Sequence, residues 1–185
     1  MSYEISCEPR RAVVGELSEL YIARTIQSKF SHTRLLTNLT FKLQEDKNRN
    51  QIDMVVLDGR CIYVIEIKSN VRYIKGNMLD NEWLITTTRT RGYFHELNIY
   101  VQNQRHLKSI RKLLQRNGVP VDKLIFKNII IISTTGHCKV NSDCDNIFSM
   151  RQFISYLEEF NTMPPSYTPE VMALILKRAA KSLNS

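Results

Sequence analysis

Residues 50–70 read NQIDMVVLDGRCIYVIEIKSN, two apolar runs joined at Asp58-Gly59 that carry Asp53, Glu66 and Lys68 where the pattern otherwise suits buried strand. Asp-Gly between two such runs is a strong hairpin signal, because both residue types accept the positive φ of a tight turn. With Asp58-Gly59 as the loop, Leu57 pairs with Arg60, Asp53 with Val64 and Gln51 with Glu66. Strand side chains alternate between faces, which puts Gln51, Asp53, Val55 and Leu57 on one face with Ile62, Val64, Glu66 and Lys68. The other face holds Ile52, Met54, Val56, Cys61, Tyr63, Ile65 and Ile67. Polar groups therefore gather at the open end of the hairpin.

Two carboxylates on neighbouring strands repel one another and lose hydration when buried, so such a site requires a cation. Lys68 supplies one positive charge. A divalent metal supplies two, and oxygen ligands from Asp53, Glu66 and the Ile67 backbone carbonyl suit a hard ion such as Mg²⁺ (or Mn²⁺). Lys68 then activates water or steadies a phosphate. By itself Glu66-x-Lys68 is also the pattern of an ordinary ion pair on an exposed strand. The apolar run before it and the register that brings Asp53 to it set this pair apart.

Upstream, Val13, Leu17, Leu20, Ala23, Ile26 and Phe30 fall at helical spacing over residues 9–30. Glu16, beside Gly15, shares or borders that apolar stripe, which makes it a candidate to complete a metal shell, as Gln51 is to support it. TRLLTNLTFKL reads as a strand and QEDKNRN as a charged loop. Downstream, VRYIKG reads as a strand, and residues 77–97 as a partly irregular segment around Trp83. Residues 96–116 suit a helix with Leu97, Tyr100, Val101, Leu107, Ile110 and Leu114 inward. Its Arg105, Lys108 and Lys112 form a candidate phosphate track, with Gln102 and His106 one turn apart on another face. Tyr93, Phe94 and His95 beside Arg89 and Arg91 suit a grip on a nucleic-acid strand. KLIFKNIIIIS reads as a buried strand and MRQFISYLEEF as a helix. Thr168, Pro169 and Glu170 start a last helix that reaches about Leu183.

The 185 residues suit one domain, with 1–160 as its body and 161–185 as a helix packed on that body or at a homodimer interface. Twenty-six Lys and Arg against 18 Asp and Glu leave a net charge of +8, which favours a polyanionic partner. No run has the length and apolarity of a membrane span, and residues 1–11 lack the apolar core of a secretory signal, so the expected compartment is the cytoplasm. Cys7, Cys61, Cys138 and Cys144 form no disulfide framework. His137, Cys138, Asp143 and Cys144 lack the paired spacing of zinc ligands and read as a polar turn.

Taken in order, the pieces resemble the PD-(D/E)xK nucleases, and in detail their nuclease-related domain (NERD) branch. They are Gly15-Glu16, Gln51 to Asp53, Val64 to Lys68 (VIEIK), Trp83, and NIYVQNQRH at Asn98 to His106, over roughly residues 8–135. Ile99 stands where the family favours proline, and the glycine expected soon after Glu-x-Lys is absent, leaving only Gly76. The resemblance implies an α/β fold, a mixed central sheet flanked by helices with a restriction-endonuclease-like core and a C-terminal helical extension. It also implies metal-dependent cleavage of nucleic acid, DNA foremost. A second expectation stands beside it: a silent nucleic-acid-binding or adaptor module that keeps the fold without turnover.

Overall fold

The computed structural model describes residues 8–43, 49–59, 61–87, 92–133, 138–160 and 169–181. Helix α1 (Glu8–Lys29) leads into β1 (Arg34–Phe41), and the two runs of the hairpin form β2 (Asn50–Asp58) and β3 (Cys61–Ser69). Three short strands follow, β4 (Val71–Lys75), β5 (Glu82–Thr87) and β6 (Phe94–Leu97), then α2 (Ile99–Arg116) and β7 (Ile125–Ser133). The chain continues through β8 (Lys139–Asn141), β9 (Ile147–Ser149), α3 (Met150–Phe160) and α4 (Pro169–Lys181). The fold is α/β, with mixed sheets flanked by helices.

The larger sheet has the order β1-β2-β3-β7-β9, antiparallel up to β3 and parallel from β3 onward. Ile129 to Ile132 of β7 are buried because strands flank them on both sides, α1 and α3 cover Ile129 and Ile131, and Ile74, Trp83 and Ile99 cover Ile130 and Ile132, which is why this stretch reads as continuous apolar sequence. One face packs Val55, Leu57, Ile62 and Val64 under Leu107, Ile110 and Leu114 of α2 and Met172, Ala173 and Leu176 of α4. The opposite face packs Met54, Val56, Tyr63 and Ile65 under Ile22 and Ile26 of α1 and Phe153 and Leu157 of α3.

A second sheet, β6-β5-β4-β8, springs from the end of β3. Asn70 makes the corner with φ +60°, a conformation asparagine tolerates, and its N–H donates to the Ser133 carbonyl at 2.9 Å. Trp83, Val71, Ile74 and Ile85 of this sheet bury themselves against Ile99, Ile130 and Ile132. Where the sequence suggested a partly irregular stretch over 77–97, β5 and β6 form an antiparallel pair.

Three local expectations are corrected. Asp58 pairs with Cys61 and Leu57 with Ile62, so the loop begins at Gly59 (φ +55°) and the register lies two residues from that expected, with Val55 opposite Val64. Asp58 stays in the ladder because its buried carboxylate meets His32 Nε2 at 3.1 Å. A shift of two preserves side-chain parity, so Val55 and Leu57 still share a layer with Ile62 and Val64. Ile52, however, packs in that same layer and not with Met54. Alternation slips at Asp53 because Asn38, opposite it on β1, takes φ +50° and both residues drop out of an otherwise unbroken β1–β2 register. Lastly, α2 begins at Ile99, since residues 94–97 are committed to β6 and Leu97 is 67% exposed.

Candidate active site

The site forms where β2 and β3 part company. Past the Met54–Ile65 pair the ladder stops, and Asp53 Oδ2 accepts the Ile67 N–H at 2.8 Å. A side-chain carboxylate thus takes the bond that a strand carbonyl would make, which fixes Asp53 at the sheet end beside Glu66 and Lys68. Glu66, 5% exposed, lies within 3.2 Å of Lys68 Nζ. Lys68 also donates to Glu96 Oε1 of β6 at 2.5 Å, so one ammonium bridges the two sheets.

Helix α2 closes the other side. Gln102 Nε2 reaches Glu66 Oε1 at 3.5 Å, and His106 Nδ1 stands 4.0 Å from Glu66 Oε2, buried and without a hydrogen-bond partner among the described residues. The helix is seated by Asn103, fully buried, whose Nδ2 donates to the Val64 and Ile129 carbonyls and to Asn128 Oδ1. Its start is fixed by Asn98, whose Oδ1 accepts the Val101 N–H while Nδ2 donates to the carbonyls of Asn77, Met78 and Asp80. The polar NIYVQNQRH stretch is therefore mostly a mounting, with Gln102 and His106 aimed at Glu66.

Helix α1 contributes Glu19 where Glu16 was expected. Glu16 is exposed to solvent, whereas Glu19, one turn on, is half-buried and has a carboxylate oxygen buried without a partner among the described residues. Asn38 hydrogen-bonds Glu19, so the left-handed residue in β1 both releases Asp53 from the ladder and holds the helix carboxylate. Gln51 is exposed on β2 two residues from Asp53. Arg105, Lys108 and Lys112 lie on the exposed side of α2, and Arg89 and Arg91 lie outside the described residues. Glu19, Glu96 and Asn38 were missed by sequence reasoning, and Asn103 entered only as part of the NIYVQNQRH stretch, with no role of its own. Of the three missed outright, Glu19, one turn from Glu16 in the same helix, carried a signal that could have been read.

Electrostatics mark the cluster as short of positive charge. Asp53 is pushed up to about 6 by burial and by the Glu66 carboxylate, against the pull of the Ile67 N–H and Lys68. Burial also raises Glu66 despite Lys68, and raises Glu19, which the Asp53 carboxylate pushes further. Burial pulls Lys68 down, but Glu66 and Glu96 outweigh it and the net shift is upward, so this lysine stays protonated. Both members of the Lys68–Glu66 pair move up because Glu66 is the more deeply buried and has one lysine, while Lys68 has two carboxylates. Burial and Lys68 lower His106, which is therefore neutral near pH 7, and its 4.0 Å approach to Glu66 is not an ion pair.

Among the described residues, no three His, Cys, Asp or Glu side chains gather closely enough to enclose a metal alone. Asp53, Glu66 and Glu96 lie about Lys68, Glu19 adds its charge to Asp53 and Glu66, and one Glu19 carboxylate oxygen is buried without a partner among the described residues, so the donors on offer are hard oxygens of the kind a hydrated divalent ion would use. No described helix is long and apolar enough to cross a membrane. No curated protein and no solved structure matches the chain. The family model of the nuclease-related domain matches residues 14–133, from α1 to the end of β7, and so spans Glu19, Asp53, Glu66, Lys68, Gln102 and His106. The chain belongs to the nuclease-related domain (NERD) family.

Proposed function

We propose that this chain is a Mg²⁺- or Mn²⁺-dependent nuclease that hydrolyses phosphodiester bonds of DNA, working in the cytoplasm. The observation that carries this reading is the buried convergence of Asp53, Glu66 and Lys68 at the parting of β2 and β3, with more carboxylate than cation. Asp53 and Glu66 hold the metal, with the Ile67 carbonyl as a further oxygen donor. Glu19 takes the supporting part that the sequence suggested for Glu16. A bound divalent ion supplies charge neutralisation at the phosphodiester and a more acidic water. Lys68, held protonated by Glu66 and Glu96, donates to a phosphate oxygen and does not serve as the base. Gln102 orients the Glu66 carboxylate, and neutral His106 stands beside it. Arg105, Lys108 and Lys112 on α2 supply phosphate contacts.

One observation favours a second reading. Lys68 is committed to two carboxylates and, among the described residues, no group of three His, Cys, Asp or Glu side chains forms there, as suits a binding module without turnover. Cleavage of linear, circular, single-stranded and branched DNA with Mg²⁺ or Mn²⁺ decides between them, run beside Asp53→Ala and Lys68→Gln. Metal-stimulated scission by the unmodified chain alone, with DNA binding kept in both variants, is the expected result. Equal scission by all three contradicts the nuclease assignment. Absence of scission with salt-sensitive binding that persists in EDTA establishes the silent module.

A further inference from the structure

The second sheet has one face that no described element covers. Its inner face, with Ile74, Trp83 and Ile85, is buried against Ile99, Ile130 and Ile132. Ladder partners share a face, so the outer side carries one row of Lys139, Tyr73 and Thr86 and a second of Asn141, Lys75, Leu84 and His95. Lys75, Lys139 and His95 are exposed, Tyr73 is half-buried, and Tyr93, 65% exposed, sets its ring edge-on to that of Tyr73 at 5.9 Å. Glu82, at the far end, meets His95 Nδ1 at 3.5 Å and leaves the tyrosine and lysine end without a facing carboxylate among the described residues.

We propose that this outer face binds an unpaired DNA strand, its bases stacked on Tyr73 and Tyr93 and its phosphates drawn by Lys75 and Lys139. Interleaved aromatic rings and ammonium groups on an open sheet match that ligand, since stacking accepts any base while cations follow the backbone. A duplex hides its base faces and has no use for the rings. The same sheet reaches the candidate active site through its inner side, where Glu96 of β6 holds Lys68. Among the described residues β6 is the edge strand, so no further described strand stands between the outer face and Lys68. The net charge of +8 favours such a partner throughout. Only the choice of DNA as the nucleic acid rests on the nuclease reading above.

Fluorescence anisotropy of labelled oligothymidine and of an equal-length duplex, both in EDTA, tests the surface apart from cleavage. The full chain is expected to bind the single strand more tightly. Tyr73→Ala with Tyr93→Ala weakens that binding by roughly tenfold or more and leaves duplex affinity unchanged. Tyr73→Phe with Tyr93→Phe, which keeps the rings, retains it. Lys75→Gln with Lys139→Gln reduces the logarithmic salt slope by roughly 0.7 per lysine removed. Unchanged oligothymidine affinity in the double alanine variant overturns the proposal, as does an equal loss for duplex. If the full chain binds oligothymidine through these rings yet never cleaves, the nuclease reading fails and this surface stands. If it cleaves while the alanine variant binds normally, the reverse holds.

Discussion

Asp53 lies where burial, the Glu66 carboxylate and Lys68 act together, and its titration is the accessible consequence. Its pKa of about 6 in the folded chain exceeds the ordinary value of 3.8. Between those values the folded chain holds more protons than the unfolded one, so metal-free stability falls as pH rises from about 4 to about 6. The loss is on the order of 2 to 3 kcal/mol for this residue. Glu19 and Glu66, also raised, add in the same direction. Urea denaturation in EDTA across this range should show the decline, and Asp53→Asn should flatten it. A slope of the same size in that variant would sink the assignment. Asp53, Glu66 and Lys68 were legible in the sequence because each interrupts an apolar run within reach of a recognisable turn. Asn38 was not. Its partners, Glu19 and the gap opposite Asp53, lie on other elements, and nothing in LTNLT announces a left-handed residue in mid-strand.

Elements matter here as mountings. The turn between β4 and β5 is drawn against α2 by Asn98, while Trp83 Nε1 donates to the Asn77 carbonyl and lies flush on Gly76. A Cβ at Gly76 would stand 2.2 Å from Trp83 Cδ1, a distance no packing tolerates, and the fully buried indole has little room to retreat. Gly76→Ala is therefore expected to destabilise the chain by about 1 to 3 kcal/mol and shift its tryptophan emission to the red. A variant with unchanged emission and stability would show that Trp83 is not the constraint. Helix periodicity gave the length of α2 well, because Leu107, Ile110 and Leu114 recur at the right spacing. It misjudged the first turns, where the polar Asn103 and His106 are buried along with Ile99; the Asn103 amide is held by the Val64 and Ile129 carbonyls, and neither polar residue registers in an apolar count.

At the scale of the molecule, the five-stranded sheet is completed by α4, the segment whose place the sequence left open between its own domain and a second copy. Met172 and Leu176 are fully buried against β1, β2 and α2, while Val171 and Leu174 face solvent. Leu176→Ala is expected to cost about 2 to 5 kcal/mol in denaturation experiments without changing sedimentation behaviour. Dissociation of a dimer with monomer stability intact would instead place this helix at an interface between copies. The second sheet was the least legible part of the fold, since its strands are short and its inner face is completed only by β7 and α2. It nevertheless supplies Glu96 to the site, so the two sheets act together on Lys68. The proposed activity requires that this joint site hold a divalent ion. Calorimetric titration with Mn²⁺ measures this directly: the unmodified chain should bind the ion, Asp53→Asn should lose it, and Glu19→Gln should bind roughly 10-fold or more weakly. Equal Mn²⁺ affinity in all three would contradict the account.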